Sequence, residues 1–240
     1  MKVNSKYNEK SWKKEGSKLY MQKKDKENQK KYISTQISVY KTDKKLIEMI
    51  DKLKVAPVSH YAHIHAKGDV DEAGNRLISC IGIILQDYST GTGEHTKRVF
   101  ANISPDEADY IFYKLQNGVQ EFIFQQDKIF GNEDEQGRAI VTKLRILRKE
   151  IGKDGQPRRY PWYVEVGNGT GVKVKKENGG IYMKANSYQE QQKVFINISD
   201  LDFFLLFSRV HKYIQAWECV IGPQIIRNGK QALAESAMMS

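Results

Sequence analysis

The sequence predicts an α+β protein made of two fused strand-and-helix units, and three observations carry that expectation. The phrases Val99-Phe100-Ala101-Asn102-Ile103-Ser104 and Val194-Phe195-Ile196-Asn197-Ile198-Ser199 are near copies, 95 residues apart. Each leads into apolar residues at helical spacing, Ala108, Ile111, Phe112 and Leu115 after the first and Phe203, Leu206, Phe207 and Val210 after the second. Ser104 and Ser199 stand where a helix cap would accept a bond from a first-turn amide. The repeat is too long for a solenoid, whose units run roughly 20 to 50 residues.

Residues 1–31 hold 11 lysines against 4 acids and lack apolar periodicity, so they read as a basic flexible arm. Tyr32 to Tyr40 is the first expected strand. In Asp43 to Lys54, Leu46, Ile47, Ile50 and Leu53 fall at helical spacing, which predicts a short amphipathic helix capped by Asp43. Val58 to Lys67 and Arg76 to Tyr88 are the next expected strands, joined by a turn over residues 68–74. Lys97 to Ile103 then feeds a long helix that stops near Asn117-Gly118. The second unit runs through strands at Phe122 to Phe130, Ile140 to Lys149, Tyr160 to Val166, Ile181 to Ser187 and Lys193 to Ile198. A helix over Asp200 to Trp217 closes it, and after Gly222-Pro223 a short helix or a frayed end is expected. The boundaries are therefore a first repeat over 32–118, a second over 119–218 and a tail over 219–240.

Charge is unevenly placed. The total is +10, yet residues 32–137 carry 11 bases against 16 acids while residues 138–193 carry 13 against 5. A polyanion would be drawn to the arm and to the second repeat's strands. No apolar run reaches the roughly 18 to 20 residues of a membrane helix, and the Lys-rich start lacks the apolar core of a secretory signal. Cys80 and Cys219, both in apolar sequence surroundings, offer no disulfide or zinc framework, which points to a reducing cytoplasm.

Alternation in the second unit sorts side chains onto two faces. Leu144, Ile146, Trp162, Val164, Val166, Val172, Val174, Ile181 and Met183 fall on one, the expected core side. Lys143, Arg145, Tyr163, Lys173, Lys175, Tyr182 and Lys184 fall on the other. Cations that follow phosphates, mixed with rings on which unstacked bases lie, are the two devices of single-strand binding. Tyr188 is a further candidate ring, and Arg158, Arg159 and Tyr160 form an expected clamp at the rim. An ordinary solvated antiparallel face is the plain alternative.

The chain resembles the Whirly family of single-stranded DNA-binding proteins, and more distantly the guide-RNA-binding proteins of the same fold. The likeness rests on Lys97 to Glu107 as strand, Ser-Pro cap and helix opening, on Gln120 to Phe124, on Trp162 to Val166, and on Val194 through the helix to Glu218. It implies two four-stranded antiparallel sheets, each followed by a helix, crossing in a protein that assembles as a tetramer. It also implies DNA strands running along the sheets with little sequence preference, in replication, recombination or transfer. The family's Lys-Gly-Lys-Ala-Ala-Leu element is absent; Tyr40 to Leu46 takes the comparable place, with Lys41, Lys44 and Lys45 as its cations. Phe203 to Phe207 is apolar nearly all round, which suits a helix buried on both sides, at a subunit interface or within one chain.

Other signals carry less. His60, His63 and His65 fall in one expected strand, with Tyr61, His63 and His65 on one parity, but no matched cysteine or carboxylate set accompanies them. A polar face or a nucleic-acid contact is the preferred reading, with Tyr61 and His63 as the contact residues. Asp69 to Glu72 lacks the ligand order of a calcium loop, and Gly167 to Gly171 lacks the Lys-Ser/Thr of a P-loop and reads as a flexible hairpin. No catalytic motif is present, so a binding protein without metal or cofactor is expected. The alternatives are an RNA-binding or annealing protein, a metal-dependent nuclease, and a factor that binds only other proteins.

Overall fold

A computed structural model describes residues 33–238 apart from Glu72 and Asn178, so the arm expected over 1–31 lies outside the described residues. The elements below all belong to the unit Thr35–Ser240. Strands β1 (Gln36–Lys41), β2 (Lys45–Lys52), β5 (Cys80–Asp87) and β6 (Lys97–Ile103) form an antiparallel sheet in the order β1-β2-β5-β6. Helix α1 (Pro105–Gln116) follows. Strands β7 (Glu121–Phe130), β8 (Arg138–Lys149), β9 (Trp162–Lys175) and β11 (Gln189–Ile198) form the second sheet, with the short β10 (Ile181–Met183) sharing the edge of β9 with β11. Helix α2 (Asp200–Met238) ends the fold. A separate hairpin, β3 (Lys67–Val70) with β4 (Arg76–Ile78), is inserted before β5. The duplicated sheet-then-helix plan is borne out, with a fifth strand added to the second sheet.

The two caps behave alike, as the repeated phrase implies. Ser104 accepts from the Glu107 amide at 3.1 Å, and Glu107 returns a bond to the Ser104 amide at 2.7 Å. Ser199 accepts from the Asp202 amide at 3.1 Å. Past each cap the same register of apolar residues enters one core, where Ile111 and Phe112 of α1 meet Phe203, Leu206, Phe207 and Val210 of α2. The inner faces of both sheets close it: Ile47, Met49, Ile83, Leu85 and Val99 from the first, Leu144, Ile146, Val164, Val166 and Ile196 from the second. Trp162 lies flat on Phe203, ring centroids 4.0 Å apart, and its indole donates to Asp200 at 2.7 Å. Burying these large side chains contributes roughly 1.5–3 kcal/mol each.

Five expectations are corrected. The segment expected as a helix over Asp43 to Lys54 is strand β2, paired along its length with β5 and through most of it with β1. Its apolar residues satisfied helical spacing because both faces of this sheet are partly covered: Ile47 and Met49 point into the core while Leu46 and Ile50 are half-buried on the other side. Asp43 sits in the hairpin turn, where the Thr42 hydroxyl accepts from the Lys44 and Lys45 amides. The strand expected from Val58 to Lys67 is a 3-10 turn, Val58–His63, closed by Ile64 at φ 59°. Arg76 to Tyr88 is divided at Ser79, where β4 leaves the main sheet for its own hairpin. Gly167 to Gly171 is no hairpin but the middle of β9. Finally, α2 does not end near Trp217; it passes through Pro223 to Met238. A mid-helix proline removes one backbone bond, and packing offsets that loss: Gly222 and Gly229 let the helix lie against Ile64 and Tyr61.

Part of the apolar run at the start of α2 stays uncovered, Leu201 being 66% and Leu205 43% exposed. Cys80 is buried as expected, whereas Cys219 is exposed on α2; both are free. No helix among the described residues is long and apolar enough to cross a membrane.

Candidate nucleic-acid interface

In an antiparallel ladder, paired residues share a face, so the register orders the outer surface of the second sheet into rows. One row reads Ile123, Leu147, Tyr163, Asn197; the next Gln125, Arg145, Glu165, Phe195; the third Asp127, Lys143, Gly167, Lys193. Lys143, Arg145 and Tyr163 therefore stand together on one face, as the alternation implied, with Lys173 and Lys175 on the same parity further along β9. Tyr163 and Phe195 stack at 5.4 Å and 26°, forming one ring platform that reaches the edge strand.

Acids are threaded through this face. The Tyr163 hydroxyl donates to Glu165 at 2.6 Å, and Arg145 lies 3.9 Å from the same carboxylate. Burial, reinforced by Glu165, pushes the Tyr163 phenol well above its ordinary pKa, so it stays neutral. Lys143 pairs with Asp127 at 3.3 Å and Lys193 with Glu190 at 3.2 Å. Lys41, Lys44, Arg158, Arg159, Lys173 and Lys175 have no carboxylate partner among the described residues, although the Lys173 ammonium is turned onto the Gly131 carbonyl.

Tyr188 also lies on this face. Gly167, Gly169 and Gly171 leave a track without side chains, and Tyr188 and Met183 fill it: a Cβ on Gly169 would come within 2.1 Å of the Gln189 carbonyl oxygen. Lys143 sits over the Tyr188 ring at 4.5 Å. Burial, with Glu190, Asp127 and Glu165 nearby, raises the Tyr188 pKa to about 12, and its hydroxyl is buried with no hydrogen-bond partner among the described residues.

The hairpin between β1 and β2 meets the other end of the platform. Lys45 donates to the Phe195 carbonyl at 2.8 Å, lies 3.7 Å from that ring's centroid and pairs with Asp87 at 3.4 Å. Its charge is thus spent on tying the two repeats together. Lys41 approaches the Tyr88 ring at 5.8 Å, and Lys44 projects from the turn. Tyr160, with Arg159 over its ring at 5.3 Å, joins Tyr40, Thr42, Lys45, Phe195, Ile196 and Asn197 around a hollow of about 310 Å³.

Four expected positions fall elsewhere. Tyr182 pairs with Val174, and Lys184 bonds Val172, so both lie on the face opposite Lys143 and Tyr163. Ile181 and Met183, expected in the core, share the outer face with Lys175 and Lys173. The cause is the turn after β9, whose length sets β10 in the register opposite to the one alternation alone suggested. Tyr61 packs against Gly229, and His63 stacks with His60 at 5.8 Å, both in the 3-10 turn beneath the end of α2 rather than on a strand. His65 is buried, stacked on Trp217 at 4.6 Å and bonded to Ser79 and Glu218.

Phe195 was readable in advance: between the buried Val194 and Ile196 it must point outward. Its counterpart in the first repeat, Phe100, does the same, 43% exposed with Arg98 over its ring at 4.9 Å. Asn168 holds the backbone of Phe100 through two bonds of 2.8 Å, joining β6 to the second sheet.

No family model matches the chain, and no curated protein matches it. Among solved structures, WHY1 from Arabidopsis thaliana is similar at 12% identity and TM-score 0.42, over 85% of this chain and 94% of that one. The plant transcriptional regulator PBF-2 is similar at 12% identity and TM-score 0.40, over 80% of this chain and 95% of that one.

Proposed function

We propose that the protein binds single-stranded nucleic acid, DNA before RNA, on the outer face of the second sheet and the adjoining β1–β2 hairpin, with little sequence preference. The observation that carries this is the stacked platform of the half-buried Tyr163 and the exposed Phe195, with Lys143 and Arg145 on the same face. Bases stack on such rings whatever their identity, and a duplex, whose bases are already stacked, gains nothing from them. Protection or organisation of single strands in replication, recombination or transfer is the role this chemistry suits, and a non-catalytic one. The half-exposed Leu201, Phe204 and Leu205 of α2 support self-association, with a tetramer as the expected form.

A salt titration by fluorescence anisotropy, with single-stranded DNA, RNA and duplex of equal length, tests it. Six cations on these elements and on the loop between β8 and β9 lack a carboxylate partner among the described residues: Lys41, Lys44, Arg158, Arg159, Lys173 and Lys175. If each meets a phosphate, log affinity falls with log salt at a slope of about −4. Equal affinity for duplex, or no binding at low salt, overturns the proposal. Cleavage of the strand in magnesium or manganese would establish the nuclease alternative.

A further inference from the structure

The hollow beside the platform has a composition that the platform alone does not need. Three aromatic residues, Tyr40, Tyr160 and Phe195, line it together with Thr42, Lys45 and Asn197. Its volume of about 310 Å³ is at the small end of ligand pockets.

Its polar groups sort into engaged and free. The Thr42 hydroxyl donates to the Lys45 carbonyl and accepts from two amides. The Lys45 ammonium is held by Asp87, by the Phe195 carbonyl and by the Phe195 ring. In contrast, the Asn197 carboxamide and the hydroxyls of Tyr40 and Tyr160 have no hydrogen-bond partner among the described residues. Burial, then Asp202 and Tyr160, raise the Tyr40 pKa, so that phenol remains a donor and a carboxylate lies within its electrostatic reach.

A phosphate is poorly served within the hollow, since its one ammonium is held by Asp87 and the nearest other cation, Arg159, lies over the Tyr160 ring at its rim. A flat base is well served. A carboxamide offers a donor beside an acceptor, the complement of a ring nitrogen next to an exocyclic amine. Of the bases, adenine is the one whose ring nitrogen and amine an asparagine carboxamide commonly meets with two bonds. We infer that the hollow seats one unstacked nucleobase bearing an exocyclic amine, adenine before cytosine, with Asn197 reading its edge and Tyr160 supplying the stacking surface.

This rests on the single-strand reading above and adds one position of base preference to an otherwise tolerant surface. Anisotropy would compare an oligothymidylate with the same strand carrying one central adenosine or cytidine. The expected result is about tenfold tighter binding with adenosine, within what one two-bond amide contact supplies, and a smaller gain with cytidine. Asn197→Ala and Tyr160→Leu, both at exposed positions where folding should be unaffected, should each bring the adenosine-to-thymidine ratio close to one. Equal affinities for the three strands, or a ratio that survives Asn197→Ala, overturn the inference while leaving the single-strand reading intact. Failure to bind any of the strands at low salt overturns that reading, and the base pocket with it.

Discussion

The ring platform gives the sharpest prediction. Truncating Tyr163 or Phe195 to alanine removes one of two rings whose centroids lie 5.4 Å apart. Each base–aromatic stack contributes ~1–3 kcal/mol, so either change should weaken single-strand binding by about 5- to 150-fold. Because the rings touch, they act as one surface, and the double variant should lose less than the sum of the two single losses. Phe195 is 41% exposed, so its removal forfeits the covered part of the ring, the stack on Tyr163 and the Lys45 contact at 3.7 Å, the last worth ~0.5–1 kcal/mol of stability. Tyr163→Phe is the control: it keeps the ring and loses only the hydroxyl bond to Glu165. Anisotropy at fixed salt, with circular dichroism to confirm folding, is the assay. Folded Tyr163→Ala and Phe195→Ala proteins that bind as tightly as wild type would refute the stacking argument.

Three further outcomes are expected. Glu165→Gln removes the acid that holds Arg145 and Tyr163 and should tighten single-strand binding, with the salt slope steeper by about 0.7; weaker binding would contradict the assigned face. Burial works to raise the Asp200 pKa, but bonds from Arg148 and Trp162 outweigh it and the net shift is downward. A carboxylate lowered on folding adds stability above its unfolded pKa of about 3.9 that is lost as pH falls through the folded value. Asp200→Asn should therefore melt lower than wild type at neutral pH, and the gap should narrow in acid; a gap constant down to acid pH would count against it. Asp200 is more than half exposed, so solvent screening keeps this effect modest. Gly229→Ala would place a Cβ 2.0 Å from the Tyr61 ring and should lift the end of α2, at a cost of about 1–3 kcal/mol. Amide exchange should accelerate over the end of α2 while strand binding is unchanged; protection equal to wild type would mean the contact does not hold the helix.

The outer face was only half legible. Lys143, Arg145 and Tyr163 could be placed together because β8 and β9 are long, and their alternation is anchored by Leu144, Ile146, Val164 and Val166 in the core. Tyr182 and Lys184 could not, since β10 is three residues long and buries nothing that fixes its parity. The glycine track misled in the same way: Gly167, Gly169 and Gly171 resemble a loop until Tyr188 and Met183 are seen lying on them. Glu165 and Asp127 entered the local charge sum, but their pairing with Arg145 and Lys143 depends on neighbouring strands.

What the sequence determined by itself was the duplication, the two serine caps and the helices that open after them, because these rest on contacts within a few residues. The tertiary structure alone decided that Asp43 to Lys54 pairs as strand β2, that α2 continues past Pro223 onto Ile64 and Tyr61, and that Lys45 is drawn from solvent onto Phe195. Each depends on a partner distant in the chain, and the free energy of burial against that partner exceeds the local preference that the sequence displays.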